Sequence, residues 1–128
     1  KNAGFTTSKP WLPVNENHVT VNVASQEEDP NSVLNHIKKM VALRKNNLVL
    51  VYGQYQIIQE EHPTIYAYSR TLEEQQMKVF LNFSESVSQI NLHDLDQCKE
   101  VLINNYDHLK IVDNTITLDP YQAVVLKF

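Results

Sequence analysis

Glycine is scarce in this 128-residue chain: only Gly4 and Gly53 are present. No phosphate-cradling loop, dinucleotide fingerprint or nucleophile elbow can be assembled from them. Cys98 is the single cysteine, which excludes an internal disulfide and a cysteine-based metal cluster and leaves a part-buried thiol as its ordinary role. Basic charge is also in short supply. Eleven Lys and Arg stand against fifteen Asp and Glu, a formal charge of −4, and the cations are scattered. A phosphate backbone would find no face on which to release counterions, so nucleic acid is not expected as a partner. No run of about 18 apolar residues exists to span a membrane, so no membrane partner is expected. Lys1 opens no targeting pattern either; because it is not an initiator methionine, that says nothing about compartment.

What is present is an ordinary folding composition, 42% hydrophobic and 20% charged, at the length of one compact domain. Gly4, Pro10 and Pro13 break any helix near the N-terminus, and Val19, Val21 and Val23 alternate with polar residues only briefly. Residues 1–29 therefore read as loop with at most one short strand, a long irregular stretch for a compact domain. Asp29-Pro30-Asn31-Ser32 then carries a helix-start signal, with Asp29 as cap and Pro30 at the first helical position. Val33, Leu34, Ile37, Met40 and Val41 recur at helical spacing, and Lys38, Lys39, Arg44 and Lys45 suit the negative end of the macrodipole. The spacing predicts a helix over 30–46.

Beyond Asn47 the period changes to that of strands: 48–52, 55–59, 65–70, 77–83, 87–92, 101–103, 115–118 and 123–128. Met77, Val79, Leu81 and Phe83 read as the strongly apolar face of one strand, and Lys78, Phe80 and Asn82 as its mixed face. Asp113-Asn114 between two apolar runs reads as a tight hairpin turn. Many short strands without crossover helices predict a mainly β protein, an antiparallel β-sandwich preceded by an irregular loop and one α-helix. The expected division is 1–47 and 48–128.

The chemistry-bearing residues are dispersed. Hydrolysis of a glycosidic bond with retention needs two carboxyl groups about 5–5.5 Å apart. Glu27-Glu28-Asp29 opens the helix, Glu60-Glu61 and Glu73-Glu74 lie between strands, and Asp94 and Asp96 lie in a polar connection; solvated loop roles account for each. His93-Asp94-Leu95-Asp96-Gln97-Cys98 is the most metal-like string, but it has no second histidine at helical spacing and no calcium-loop glycine. His18, His36, His62 and His108 are scattered. No catalytic, cofactor-binding or metal-binding residue is assigned, and no cofactor is expected. Asn82-Phe83-Ser84 fits the glycosylation triplet, a pattern common by chance. Six tyrosines, Phe5 and Trp11 could stack on sugar, but core and sheet packing is the ordinary role for the tyrosines, which show no common register. Trp11 lacks a local apolar pattern to bury it, so it either docks on a surface outside the chain or lies exposed.

The string from Asn2 to Trp11 (Asn-Ala-Gly-Phe-Thr-Thr-Ser-Lys-Pro-Trp), then Val14-Asn15, Asp29-Pro30-Asn31-Ser32-Val33, Leu43-Arg44-Lys45 and Val51-Tyr52-Gly53, matches one known pattern in order and spacing. It resembles the bacterial oligo-1,6-glucosidase and α-glucosidase subfamily of glycoside hydrolase family 13, most closely over residues 2–56. The resemblance implies that residues 1–47 are the terminal loop and last helix of a catalytic (β/α)8 barrel, and 48–128 the C-terminal antiparallel sandwich. It implies a retaining α-glucosidase that releases terminal α-linked glucose, α-1,6 and/or α-1,4, from oligosaccharides in the bacterial cytoplasm. The family's nucleophilic aspartate, acid/base glutamate and orienting aspartate lie upstream of this pattern, so none is carried over; the chain alone is expected to be inactive. Its intramolecular partner would be the barrel, and the uncovered helix face at Ile37, Met40 and Val41 would favour self-association. The alternative reading is an independent β-sandwich module that binds carbohydrate or serves as an adaptor.

Overall fold

The computed structural model describes all residues from Lys1 to Phe128. The chain divides into two compact units, Lys1–Val41 and Ala42–Phe128, each described by itself.

In the first unit, 3₁₀ turns form at Asn2–Gly4 and Glu16–Val19, and α1 runs Val23–Glu28. The valine alternation around residue 21 yields no strand. Asn22 is the reason: its side chain accepts a hydrogen bond from the Ser25 amide at 2.9 Å, capping α1 and drawing Val23 into its first turn. Helix α2 spans Val33–Asn46, three residues later than the Asp-Pro signal suggests. Asp29 turns the chain by accepting from the Asn31 amide, and Ser32 does the capping, its Oγ accepting from the Asn35 amide at 3.2 Å. The Gln26 side chain also accepts from the Leu34 amide at 3.0 Å, satisfying a second free donor of the first turn.

The second unit takes in the last turn of α2 and then a short helix, α3 (Val49–Tyr52), where β-branched residues had suggested a strand. Eight strands follow: β1 Gln54–Ile58, β2 Ile65–Leu72, β3 Gln75–Asn82, β4 Ser88–Asn91, β5 Glu100–Asn104, β6 Lys110–Val112, β7 Thr115–Leu118 and β8 Ala123–Lys127. They form a five-stranded sheet, β1-β2-β3-β8-β5, and a three-stranded sheet, β4-β7-β6, with every pair antiparallel. Asp113 and Asn114 both take positive φ, 47° and 60°, and close the β6–β7 hairpin as their residue types suggest.

Between the sheets lies one apolar core of Ile65, Ala67, Phe80, Ile90, Leu95, Ile116, Leu118, Val124 and Leu126. The residues of β3 that face it are those of its mixed face. Phe80 is fully buried opposite Ala67 and Val124, and Lys78 and Asn82 flank it, also buried. Met77 and Val79 point to the other side of the sheet and are buried there as well, while Phe83 is exposed just beyond the strand. Helix α3 packs on β2 and β3, and its Val49 is wholly buried. Gly53 leads from α3 into β1 through a gap with no room for a side chain. A Cβ there would lie 2.3 Å from the Val49 carbonyl and 3.1 Å from the Thr71 amide, both backbone atoms.

Candidate functional site

No group of three or more His, Cys, Asp and Glu side chains converges on a metal-sized space. The metal-like string is pulled apart by its own fold. Leu95 enters the core, Cys98 is half-buried against it, and the Cys98 thiol faces the Glu100 carbonyl. Asp94 is not a freely solvated loop carboxylate: it forms an ion pair with the buried Lys78, whose ammonium also sits 4.0 Å from the centre of the Phe128 ring. Sixteen residues separate the two partners, so the pairing arises only when the β4–β5 connection folds over β3.

His62 and His108 have separate structural tasks. His62 accepts from the amides of Thr64 and Ile65 through Nδ1, which fixes Nε2 as the donor to the Gln89 carbonyl at 3.0 Å. His108 Nε2 lies 2.7 Å from the Asp119 carboxylate, and the His108 carbonyl accepts from the buried Gln122 amide. Asn82 of the glycosylation triplet is 3% exposed, and its side-chain nitrogen donates to the carbonyls of Ser86, Leu118 and Asp119. An acceptor nitrogen so engaged is closed to modification in the folded chain.

Three surfaces remain without cover. In the first unit, Trp11 is 92% exposed and lines an open cleft of about 440 Å³ with Phe5, Pro10, Leu12 and Pro13. The loop is held by Asn2, whose side-chain nitrogen donates to the carbonyls of Thr6 and Ser8 at 2.9 and 2.7 Å. Along α2, Val33, Ile37, Met40 and Val41 are exposed, as the helical spacing leads one to expect of a face with no partner in the chain.

The third surface was not visible in sequence. Pairing of β1 with β2 sets Tyr55 opposite Arg70 and Ile57 opposite Tyr68, so Tyr55, Tyr66 and Tyr68 share the outward face of the five-stranded sheet. Their ring centroids are 5.4 Å (Tyr55–Tyr68) and 5.7 Å (Tyr66–Tyr68) apart, and the hydroxyls of Tyr55 and Tyr66 are hydrogen-bonded at 2.7 Å. The rings are tilted by 38° and 49° and do not make a flat platform for a pyranose. Arg70 donates to the Gly53 carbonyl at 2.8 Å.

The environment raises two of these hydroxyls above the ordinary tyrosine range. For Tyr55 the hydrogen bond to Tyr66 is the main cause, and burial and the neighbouring Tyr66, Tyr68 and Glu60 add to it. For Tyr68 burial leads and Tyr66 adds, opposed by Arg70 and Arg44. A folded value above the unfolded one means that the neutral form is favoured in the fold. That stabilisation is complete below about pH 10, the unfolded tyrosine value, and is lost as pH rises through the folded values. Stability is therefore expected to fall above about pH 10. Tyr68→Phe should make that fall shallower, and urea midpoints of both chains across the alkaline range would show it. Equal slopes would contradict the assignment.

The comparisons with known proteins divide the chain in two. Residues 1–53 match the family model described as alpha amylase, catalytic domain, and residues 65–125 match the alpha-amylase SusG C-terminal domain. The oligo-1,6-glucosidase of Parageobacillus thermoglucosidasius is 45% identical across 99% of this chain, which spans 23% of that protein. The trehalose-6-phosphate hydrolase of Bacillus subtilis is 34% identical, again over 99% of this chain and 23% of its own length. Among solved structures, trehalose-6-phosphate hydrolase of Bacillus licheniformis superposes with a TM-score of 0.85 at 34% identity, over 98% of this chain and 23% of the other. Isomaltulose synthase of Klebsiella sp. LX3 gives 0.83 at 38% identity, with the same coverage. The chain thus spans about a quarter of the length of the relatives it matches.

Proposed function

The chain belongs to the α-amylase family, glycoside hydrolase family 13, and from that premise we propose that it is the non-catalytic C-terminal part of a retaining α-glucosidase. The carrying observation is the order of the two family matches, a catalytic-domain match over residues 1–53 and, after it, a C-terminal-domain match over residues 65–125. The parent enzyme would release terminal α-linked glucose, α-1,6 and/or α-1,4, from oligosaccharides in the bacterial cytoplasm. Its chemistry would pass through a covalent glucosyl-carboxylate resolved by water.

No side chain of this sequence would take part in bond cleavage. Residues 1–47 would be the last loop and helix of the barrel, with Asn2 to Trp11 shaping the outer part of the sugar pocket, and 48–128 the sandwich that stabilises it. Conserving the barrel's apolar flank is then the sandwich's task, and binding of sugar is not.

The test is turnover of an aryl α-glucoside and of isomaltose by the parent enzyme and by the 128-residue chain at matched concentration. Turnover by the parent and none by the chain is expected. Activity that co-purified with the chain and vanished on substituting one of its own carboxylates would overturn the proposal. The exposed face of α2 should also make the isolated chain self-associate, seen as a concentration-dependent rise in sedimentation coefficient; a monomer at every concentration would contradict this.

A further inference from the structure

Strand β4 lies at the edge of the three-stranded sheet and is paired along one side only, with β7. Bare carbonyls on the free side of such a strand are a template for pairing with further chain. Here no strand covers them; the β1–β2 turn does so with side chains. Gln59 Nε2 donates to the Asn91 carbonyl at 2.8 Å, His62 Nε2 donates to the Gln89 carbonyl at 3.0 Å, and Thr64 Oγ1 donates to Ser88 Oγ at 2.8 Å. The turn joins two strands of the five-stranded sheet, so the same contacts tie the two sheets together along this edge.

His62 is the member of this set that a proton can switch. Both ring nitrogens are in use: Nδ1 accepts from the amides of Thr64 at 3.3 Å and Ile65 at 2.9 Å, while Nε2 donates across to β4. Only a neutral imidazole offers one acceptor and one donor. An imidazolium carries a hydrogen on each nitrogen, and at Nδ1 that hydrogen would meet two amide hydrogens. The ring must then leave its place, and the hold on Gln89 goes with it. No counter-charge offsets this. Strand β4 and the part of β2 from Ile65 to Ser69 carry no charged side chain. Glu60 and Glu61 on the same turn, and Glu85 on the turn between β3 and β4, form no ion pair with His62.

We infer that His62 is a proton-operated latch on the free edge of β4. Neutral, it holds the β1–β2 turn against the strand; protonated, it releases the turn and bares the carbonyls of Gln89 and Asn91. Because proton uptake accompanies release, lowering the pH favours the open edge and raising it favours the closed one. Histidine is the side chain whose charge ordinarily changes between about pH 5 and 8, so the latch acts where carboxylates and lysines keep their charge. The other histidine with a structural task works in the opposite sense: His108 Nε2 faces the Asp119 carboxylate, a contact that a proton strengthens. Acid therefore loosens one end of the sandwich and not the other.

The test is amide hydrogen exchange, followed by NMR on the dilute, isotope-labelled 128-residue chain and expressed as protection factors so that the intrinsic pH dependence of exchange drops out. The factors of Thr64 and Ile65 should fall about tenfold or more between about pH 7.5 and about pH 5, the equivalent of one net hydrogen bond. Those of Val79 and Phe80 in the central strand should hold. In His62→Gln, whose side chain offers an acceptor and a donor at every pH, the fall should vanish. Constant factors for Thr64 and Ile65 in the unsubstituted chain, or the same fall in His62→Gln, would overturn the latch. The ring itself gives a reading that needs no variant. At about pH 7.5 the nitrogen shifts of His62 should report a bare Nδ1 and a protonated Nε2, and a hydrogen on Nδ1 in the neutral ring would overturn the latch as well.

Discussion

Phe80→Ala is expected to lower the unfolding free energy of the sandwich by about 3–5 kcal/mol, the range for truncating a large buried aromatic. Phe80 lies at the middle of the central strand β3, without exposure, between Ala67 on β2 and Val124 on β8. Facing it across the core are residues of the smaller sheet, Ile90, Ile116 and Leu118. The neighbours are fixed in two hydrogen-bonded sheets and can collapse only partly into the space left, which places the cost near the upper end. Phe83→Ala, three residues away, removes the same ring from a position 69% exposed and should shift stability by no more than about 0.5 kcal/mol. Urea unfolding of the 128-residue chain, followed by circular dichroism, would measure both. Comparable effects at the two positions would mean that β3 does not present this face to the core.

That contrast shows why strand alternation is legible and its sidedness is not. The run from Met77 to Phe83 reads as a strand with one strongly apolar face, and a strand it is. Alternation says which residues share a side; it does not say which side meets the other sheet. Here α3 covers the Met77 and Val79 side, so β3 is buried on both faces and the mixed face supplies the core. Helix α3 was itself hidden, because Val49, Val51 and Tyr52 favour strands by type; burial of Val49 and the obligatory Gly53 behind it override that preference. The tyrosine surface needs the register between β1 and β2, and the Lys78–Asp94 pair needs a connection folded over β3. Neither is a local property. What local chemistry fixes survived in outline: a helix after the Asp-Pro turn, begun three residues later at Val33, the Asp113-Asn114 hairpin, and the exposure of Trp11. The family match was legible for the same reason, as it rests on short contiguous strings.

Asn82→Asp should cost more than about 3 kcal/mol at neutral pH although it changes the side chain's shape hardly at all, because one oxygen of a buried carboxylate is left facing acceptors with no donor. The Asn82 side-chain oxygen accepts from the amide and the hydroxyl of Ser84 at 3.0 and 2.8 Å, and a carboxylate would keep both bonds. The nitrogen is the problem. It donates to the carbonyls of Ser86 at 2.8 Å, Asp119 at 2.9 Å and Leu118 at 3.4 Å, and a second carboxylate oxygen in its place would face three acceptors. Protonation of the introduced carboxyl restores one donor, so the fold raises its pKa above the unfolded value of about 4. By linkage, the loss is smallest below about pH 4 and grows as pH rises through the folded value. Asn82→Ala, which removes donor and acceptor together, carries no such dependence on this position. Urea midpoints of the two variants between pH 3.5 and pH 8, each referred to the unsubstituted chain at the same pH, would separate at the neutral end by about 1–3 kcal/mol or more and converge at the acid end. A pH-independent difference would show that the three carbonyls find other donors, and that Asn82 is not what ties the end of β3 to the turn before β4 and the chain leaving β7.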